Sequence, residues 1–271
     1  MKRERCTEIK LSQPYMPFRT NEFQKIVVKK YGISHFYEFN KKEENKKQLQ
    51  AVPDGSVDLL FGIEKNQVHT YIGGTVLKAK EWPLYDGITY FGVSFEPGEY
   101  LLPHDLSIED VIDDDIKISD ISLYTHLETE IAESPEMKTR CQVFLKDYIS
   151  MIQKMQDERK ENSLEVYIRN RIYACKGNVS IKMLSEETGY SECYIRRVFK
   201  EVHGISPKVF EKFVRFQYLL SRLEEKMNVD RMDEIALACG YYDQSHMVKD
   251  FKRFSGMTPE IYLKMISSQN K

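Results

Sequence analysis

Cationic side chains recur at matching positions in the last third of the chain. Arg197 and Lys200 are followed 52 residues later by Lys249 and Lys252, and the two members of each pair are three residues apart. This spacing puts both members on one face of a helix. Lysine and arginine bind phosphates, and arginine also makes paired hydrogen bonds to guanine. The pattern therefore points to contacts with a nucleic acid.

The cations belong to a longer internal repeat. FKEVHGISP (199–207) matches FKRFSGMTP (251–259) at a shift of 52, and IKMLSEETGY (181–190) matches MDEIALACGY (232–241) at a shift of 51. A repeat of this length indicates that one structural unit occurs twice.

Each copy is typical of a helix-turn-helix. Gly189 and Gly240 are placed to end a helix in the left-handed conformation, and Ser191 and Asp243 to cap the helix that follows. We predict units at about 181–202 and 232–255, joined by a connecting helix at about 207–225 with Ser206 as its N-cap.

The second helix of each unit, here called the recognition helix, has one apolar stripe and one polar face. The predicted buried residues are Ile195, Val198, Phe199 and Val202 in the first copy, and Met247, Phe251 and Phe254 in the second. Either polar face alone also fits an ordinary solvated helix, but the repetition favours recognition. A connecting helix of about 19 residues would span ~28 Å, close to the ~34 Å turn of B-DNA.

Residues 164–266 resemble the DNA-binding domain of the AraC/XylS family of bacterial transcription regulators. LSEETGYSECYIRRVFKEVHGISPKVF and IALACGYYDQSHMVKDFKRFSGMTPEIY carry the resemblance. It implies seven helices that bind adjacent major-groove segments. The base contacts that it implies are Cys193, Arg196 and Arg197 in the first unit, and Gln244, Ser245, His246, Val248 and Lys249 in the second. Lys200 and Lys252 are expected to bind phosphates.

The N-terminal part is predicted to be rich in strands. VDLLFGI (57–63), VHTYIGG (68–74) and ITYFGVSFEPG (88–98) are short, β-branched or aromatic, and bounded by turn residues. PDGSVDLLFG (53–62) and FGVSFEPGEY (91–100) resemble sensing domains attached to some members of the family, which suggests a cupin-like barrel.

The predicted fold is therefore α+β with two domains, a β-rich barrel followed by helices and an all-α domain. We expect a β-rich sensing domain at 1–122, a helical region at 123–162 and the DNA-binding domain at 163–271. Within the helical region, Ser134 is expected to cap a helix at 136–155, which either dimerises or packs on its own barrel. The polar run QDERKEN (156–162) is the predicted linker.

The N-terminal part lacks the residue patterns of an enzyme. His35, His69, His104 and His126 are scattered, without an H-x-H pair, and no phosphate loop or nucleophile motif is present. We predict no catalytic residues, no metal site and no cofactor. Five aromatic residues are candidates for lining a ligand pocket, although each also fits a plain core: Tyr71, Trp82, Tyr90, Phe91 and Phe95. Because Tyr90 and Phe91 are adjacent in a strand, at most one of them faces the pocket.

Composition adds limits. The net charge of −2 divides into +4 for residues 163–271 and −6 for the rest, so the C-terminal part is the one suited to a polyanion. No apolar run reaches the ~20 residues of a membrane span, and no signal peptide is seen. The five cysteines lack C-x-x-C spacing and are typical of reduced thiols in the cytoplasm.

These observations predict a cytoplasmic transcription regulator that binds promoter DNA. We expect an activator, although the sequence leaves repression open. The expected partners are double-stranded DNA, RNA polymerase, a small-molecule effector and a second copy of the chain. Two alternatives remain: control by a protein partner or by abundance without an effector, and an enzyme fused to a DNA-binding domain.

Overall fold

The structure is a computed structural model of the 271-residue chain. It describes residues 11–41, 49–65, 67–82, 85–100, 102–103, 105–118, 122–155, 163–225 and 231–268. The predicted linker at 156–162 and His104 lie outside the described residues.

The N-terminal half is mainly β-structure. A short helix, α1 (Met16–Arg19), leads into the first strand. The strands are β1 (Thr20–Lys30), β2 (Ile33–Lys41), β3 (Leu49–Ala51), β4 (Asp58–Glu64), β5 (Gln67–Gly73), β6 (Lys80–Trp82), β7 (Thr89–Phe95) and β8 (Asp115–Ile118). A single 3-10 turn at Ile108–Val111 precedes β8.

Six of the strands form one antiparallel sheet in the order β1-β2-β7-β4-β5-β8. The strands β3 and β6 pair with each other and form a separate two-stranded ribbon. The six-stranded sheet is open, because β1 and β8 lie at its opposite edges and do not pair with each other. The α+β class is confirmed, and the predicted barrel is not closed.

One face of the sheet is covered by two helices, α2 (Ser122–Glu133) and α3 (Met137–Met155). Phe36, Phe61 and Phe91 of the sheet share a buried cluster with Phe144 and with other residues of these helices. The apolar side of α3 is therefore packed on its own sheet, which settles the packing of the helix predicted at 136–155.

The prediction that Ser134 caps α3 is wrong. Its hydroxyl donates to the carbonyl of Glu130 at 2.7 Å, in the preceding helix, and α3 begins only at Met137. A serine hydroxyl can donate to the backbone carbonyl four residues earlier in a helix instead of capping the helix that follows.

The C-terminal half consists of helices. They are α4 (Ser163–Ala174), α5 (Ile181–Thr188), α6 (Glu192–His203), α7 (Pro207–Glu225), α8 (Met232–Ala238), α9 (Gln244–Ser255) and α10 (Pro259–Ser267). Seven helices were expected from the family resemblance, and the described residues between 163 and 267 form seven.

The two halves share one continuous hydrophobic core. Tyr37 and Phe39 of the sheet belong to the same buried cluster as Phe210 of α7. Gly55, in the PDG turn before β4, has φ +83°, and a Cβ there would lie 2.6 Å from the Phe210 ring. The turn therefore needs glycine for its backbone conformation and for its close approach to α7.

Candidate nucleic-acid interface

Both predicted helix-turn-helix units are present. In the first, α5 ends at Gly189 with φ +75°, and the Ser191 hydroxyl accepts from the Tyr194 amide at the start of α6. In the second, Gly240 has φ +78°, and the Asp243 carboxylate accepts from the His246 amide at the start of α9. The predicted caps are confirmed, and α6 and α9 are the two recognition helices.

The buried stripe of each recognition helix agrees closely with the prediction. Ile195 and Phe199 of α6, and Met247 and Phe251 of α9, are fully buried. Val202 is only half-buried. These stripes leave the opposite faces free to meet another molecule.

Nine of the ten predicted DNA-contact residues are exposed, and Val248 is half-buried against the core. The exposed residues are Cys193, Arg196, Arg197, Lys200, Gln244, Ser245, His246, Lys249 and Lys252. The structure thus brings each set together on one helix face, and the role of the sets in DNA contact stays a prediction.

The arginines of α6 are held by their own helix. Arg196 Nη2 lies 2.5 Å from Glu192 Oε2. The guanidinium of Arg197 lies 5.0 Å from the Tyr194 ring centroid, and its Nε lies 3.8 Å from Glu201 Oε1. Exposed pairs of this kind contribute little to stability, but they restrict where each guanidinium points.

The connecting helix α7 packs against both recognition helices. The Phe210 and Phe199 ring centroids are 5.4 Å apart, and those of Phe216 and Phe251 are 5.6 Å apart. A single rigid helix therefore sets the position of α6 relative to α9.

The N-terminal half touches the C-terminal end of α6. The Lys200 ammonium lies 2.9 Å from a carboxylate oxygen of Glu109. The Tyr100 hydroxyl donates to the Val202 carbonyl at 2.5 Å, and a Cβ on Gly204 would lie 2.9 Å from Ile112. One of the two predicted phosphate ligands is therefore paired with an acid from the other half.

The C-terminal end of α9 is held in the same way by different residues. The Tyr15 hydroxyl donates to the Ser255 carbonyl at 2.6 Å, and the Ala79 amide donates to the Arg253 carbonyl at 3.4 Å. Gly256 lies against Gln50. Among the described residues, Lys252 makes no ion pair.

A buried ionic network lies behind α6. His203 Nε2 is 2.7 Å from Glu165 Oε1, which also accepts from Arg169 Nε at 3.1 Å. Arg169 reaches Glu99 of the N-terminal half at 2.8 Å. Burial lowers the pKa of His203, and Glu165 opposes this effect. The internal repeat does not predict this network. The residue that aligns with His203 in the second unit is Ser255, which is also buried but uncharged.

The comparisons with known proteins fall on the same region. A helix-turn-helix domain model matches residues 184–265, which include both recognition helices. The C-terminal region is an AraC-type helix-turn-helix domain.

An uncharacterised HTH-type transcriptional regulator, YisR of Bacillus subtilis (strain 168), is 33% identical over 95 residues. The match covers 34% of this chain and 31% of that protein. The chain therefore matches about a third of the length of this curated relative.

Two solved structures are also similar. One is a probable AraC family transcriptional regulator from Rhodopseudomonas palustris CGA009, with 28% identity, 37% of this chain and 91% of that chain covered, and a TM-score of 0.32. The other is ToxT from Vibrio cholerae O395, with 14% identity, 90% and 97% covered, and a TM-score of 0.42. Both TM-scores are below 0.5, so neither likeness bears on function.

Outside the AraC-type domain, a cavity of about 190 Å³ lies on the face of the sheet opposite α2 and α3. It is lined by Leu60, Gly62, His69, Tyr71, Trp82, Tyr85, Ile88, Tyr90 and Asp115. Three of the five predicted aromatic candidates, Tyr71, Trp82 and Tyr90, lie in this wall. Phe91 and Phe95 lie on the other face of β7, in the core under α2 and α3.

Two histidines of the N-terminal half have defined surroundings. His35 is half-buried, and the loss of solvent around its ring, with Lys25 and Lys29 nearby, lowers its pKa to about 3. His126 of α2 lies 3.8 Å from Glu130 and 3.8 Å from Asp147 of α3. His126 is exposed and the two carboxylates are half-buried, and the ligand atoms of the three residues lie within 4.8 Å of one another. The scatter of histidines along the sequence therefore did not exclude a small cluster in space.

Among the described residues, no helix is both long enough and apolar enough to cross a membrane.

Proposed function

We propose that this chain is a sequence-specific DNA-binding transcription regulator. Its two recognition helices read successive major-groove segments. The observation that carries the proposal is that α6 and α9 both expose a polar face while α7 packs against both. One chain therefore presents two reading faces in a fixed arrangement.

The residue types assign the roles within this proposal. Arg196 and Arg197 suit guanine O6 and N7, and Gln244 suits adenine. Lys200 and Lys252 suit phosphates, which position the protein without reading sequence. Lys200 can make such a contact only by leaving Glu109.

The N-terminal half acts as the controlling part in this proposal. Its aromatic cavity is the site for a small-molecule effector, and its contacts with the ends of α6 and α9 supply a route for control. An effector that binds one arrangement of the halves better than another shifts the population of DNA-competent molecules. A thermal-shift screen tests this step, because an effector stabilises the protein it binds.

The proposal extends to an activator in the cytoplasm that contacts RNA polymerase at a promoter and has no catalytic activity. A homodimer would have to use a surface other than the apolar side of α3, which is packed on the sheet. Transcription from a selected promoter in a purified system, with and without the protein, separates activation from repression.

The decisive experiment selects a binding site from random duplexes and compares variants on that site and on random DNA. Arg196→Ala is expected to cost ~1–3 kcal/mol on the selected site and less on random DNA. Lys182→Ala, an exposed cation on α5, is the matched control and should bind as the parent does. An equal loss on both DNAs would exclude base reading by Arg196.

A further inference from the structure

The aromatic cavity lies between the sheet and the residues of the two-stranded ribbon. The side chains of β4, β5 and β7 form its floor, and Trp82 of the ribbon stands at its edge with Tyr85 and Ile88. Gly62 lies in this floor and has no side chain that would fill the cavity. A Cβ added there would lie 3.5 Å from Ile88, which is an ordinary contact distance.

The charge of the wall restricts the ligand. Among the described lining residues Asp115 is the one acidic side chain, and its Oδ2 is already paired with the Lys80 ammonium at 2.8 Å. The same described residues include no lysine or arginine. A ligand with a negative charge would therefore lie near the Asp115 carboxylate without a lysine or arginine of the lining to bind it. A ligand with a positive charge would find that carboxylate already paired with Lys80.

The shape and chemistry of the wall favour a flat ring. Tyr71, Trp82, Tyr85 and Tyr90 surround the cavity, and aromatic faces pack best against other planar rings. Burial raises the pKa of Tyr71 and of Tyr90, so both hydroxyls stay protonated and available for hydrogen bonds near neutral pH.

The same ribbon reaches the second recognition helix. In its register Leu49 pairs with Trp82, and Gln50 pairs with Glu81. Gln50 touches the Gly256 turn that ends α9, and Ala79, the residue before β6, donates to the Arg253 carbonyl of α9. The ribbon is thus in contact with the cavity through Trp82 and with α9 through Gln50 and Ala79.

We propose that the cavity binds a compact, uncharged aromatic ring compound and that the ribbon passes its occupancy to α9. The inference rests on the proposed function and adds the ligand class and the recognition helix that responds. A ring seated against Trp82 fixes the ribbon, and the fixed ribbon holds the C-terminal turn of α9 in one position. The end of α6 is held by Tyr100 and Ile112 instead.

Trp82 is the single tryptophan of the chain, so its fluorescence reports on the cavity directly. The probes are benzamide, benzoate and benzylamine, which share one ring and differ in charge. Benzamide is expected to change the Trp82 emission saturably, with at least tenfold higher affinity than the two charged probes. A response to none of the three, or equal affinity for benzoate, overturns the assigned ligand class.

Gly62→Val fills the cavity from its floor and should abolish the benzamide response in a protein whose melting temperature shows that it is folded. If that variant does not fold, Gly62→Ala serves, because its methyl group meets only ordinary contacts. Gly62→Ala should weaken benzamide at least threefold. An unchanged benzamide affinity in a folded Gly62→Val protein places the probe elsewhere and overturns the site.

Hydrogen exchange of the full chain with and without benzamide tests the route to α9. Protection should rise at 49–51, 79–82 and 252–257 and stay unchanged at 200–204. Protection that rises at the ribbon but not at 252–257 overturns the coupling. DNA binding measured without any probe is a separate arm: its absence sinks the proposed regulator, whereas DNA binding without a Trp82 response sinks only this inference.

Discussion

The two helix-turn-helix units have the same backbone plan, but the N-terminal half holds their recognition helices by different forces. At the end of α6, charged contacts are added to the Tyr100 hydrogen bond: Lys200 pairs with Glu109, and His203 belongs to an ionic network. The end of α9 is held by neutral hydrogen bonds and packing around Ser255 and Gly256. The two copies thus share a backbone geometry but differ in their neighbours, and we expect the first copy to respond to pH and salt more strongly than the second.

The largest expected effect is the loss of stability when an aromatic ring is removed from the core of one unit or of the other. Phe210→Ala removes a ring that packs on Phe199 and His203 of the first unit, and should cost about 3–5 kcal/mol of unfolding free energy. Phe254→Ala is the matched change in the second unit. Denaturant unfolding gives the size, and native-state hydrogen exchange should show opening confined to α6 in one variant and to α9 in the other. The same exchange pattern in both variants would contradict the separation.

The second prediction compares the stability contributed by charged contacts behind α6 with that contributed by neutral hydrogen bonds at the end of α9. Glu165→Gln removes the more buried of the two carboxylates that pair with Arg169 and leaves only Glu99, so it should destabilise the protein by about 3 kcal/mol. Ser255→Ala, the counterpart in the second unit, loses neutral hydrogen bonds and should cost roughly 0.5–1.5 kcal/mol. Equilibrium unfolding at constant pH measures both. A larger loss from Ser255→Ala would reverse the comparison.

The exposed faces of α6 and α9 should differ in how strongly they distinguish one DNA base from another. Arg197→Ala is expected to cost ~1–3 kcal/mol on a selected site and to relax specificity at one position. At the aligned position, Lys249→Ala removes a point charge without the planar fork of arginine, so its loss should be spread more evenly over sequences. Competition titrations against a panel of single-base variants of the site measure this. An identical specificity profile for both variants would remove the distinction.

Acid should loosen the first unit before the second. Because burial lowers the pKa of His203 below the ~6.5 of an unfolded histidine, the unfolded chain binds more protons near pH 6. The stability contributed at this site is therefore fully present above pH ~6.5 and falls as the pH drops below that value.

Hydrogen exchange at the end of α6 and of α9 at pH 7 and pH 5.5 tests this sign, with His203→Gln as the variant that should lose the difference. The surrounding charges that share the site are Glu165, Arg169 and Glu99. Greater acid loosening at α9 than at α6 would count against the assignment to His203.

The smallest effect concerns the Lys200 contact. Glu109→Gln frees this cation for a phosphate and should strengthen DNA binding by roughly 0.2–1 kcal/mol, since both side chains are more than half exposed. The gain should fade at high salt. Glu133→Gln, an exposed carboxylate at the end of α2, changes the net charge equally and should give less. An equal gain from both variants would mean that net charge, and not the Glu109 contact, is responsible.

The parts of the molecule that followed from the sequence depend on local periodicity. The left-handed turn at Gly189, the caps at Ser191 and Asp243, and the buried stripes of both recognition helices lie within a few residues of the pattern that predicts them. The exposure of the candidate contact residues follows from the same periodicity, because a surface helix that buries its apolar stripe exposes its polar face.

What the sequence did not reveal depends on contacts between distant segments. The pairing of Lys200 with Glu109, and the choice of an open sheet over a closed barrel, are set by which strands and loops meet in space. Because side chains alternate along a strand, only one of Tyr90 and Phe91 can face the cavity. The packing of α3 on the Phe91 face decides that it is Tyr90.

Gln217 lies at the centre of the contact between the halves. Its side-chain amide, fully buried in α7, donates to the carbonyls of Ser12 and Pro53 and accepts from the Ser12 amide. Grafting this C-terminal region onto a different N-terminal domain would bury that amide against a foreign surface, at a cost of about 1–3 kcal/mol for each unmet hydrogen bond. A working chimera would have to carry Gln217, Phe210 and the Gly55 turn together as one transplantable unit.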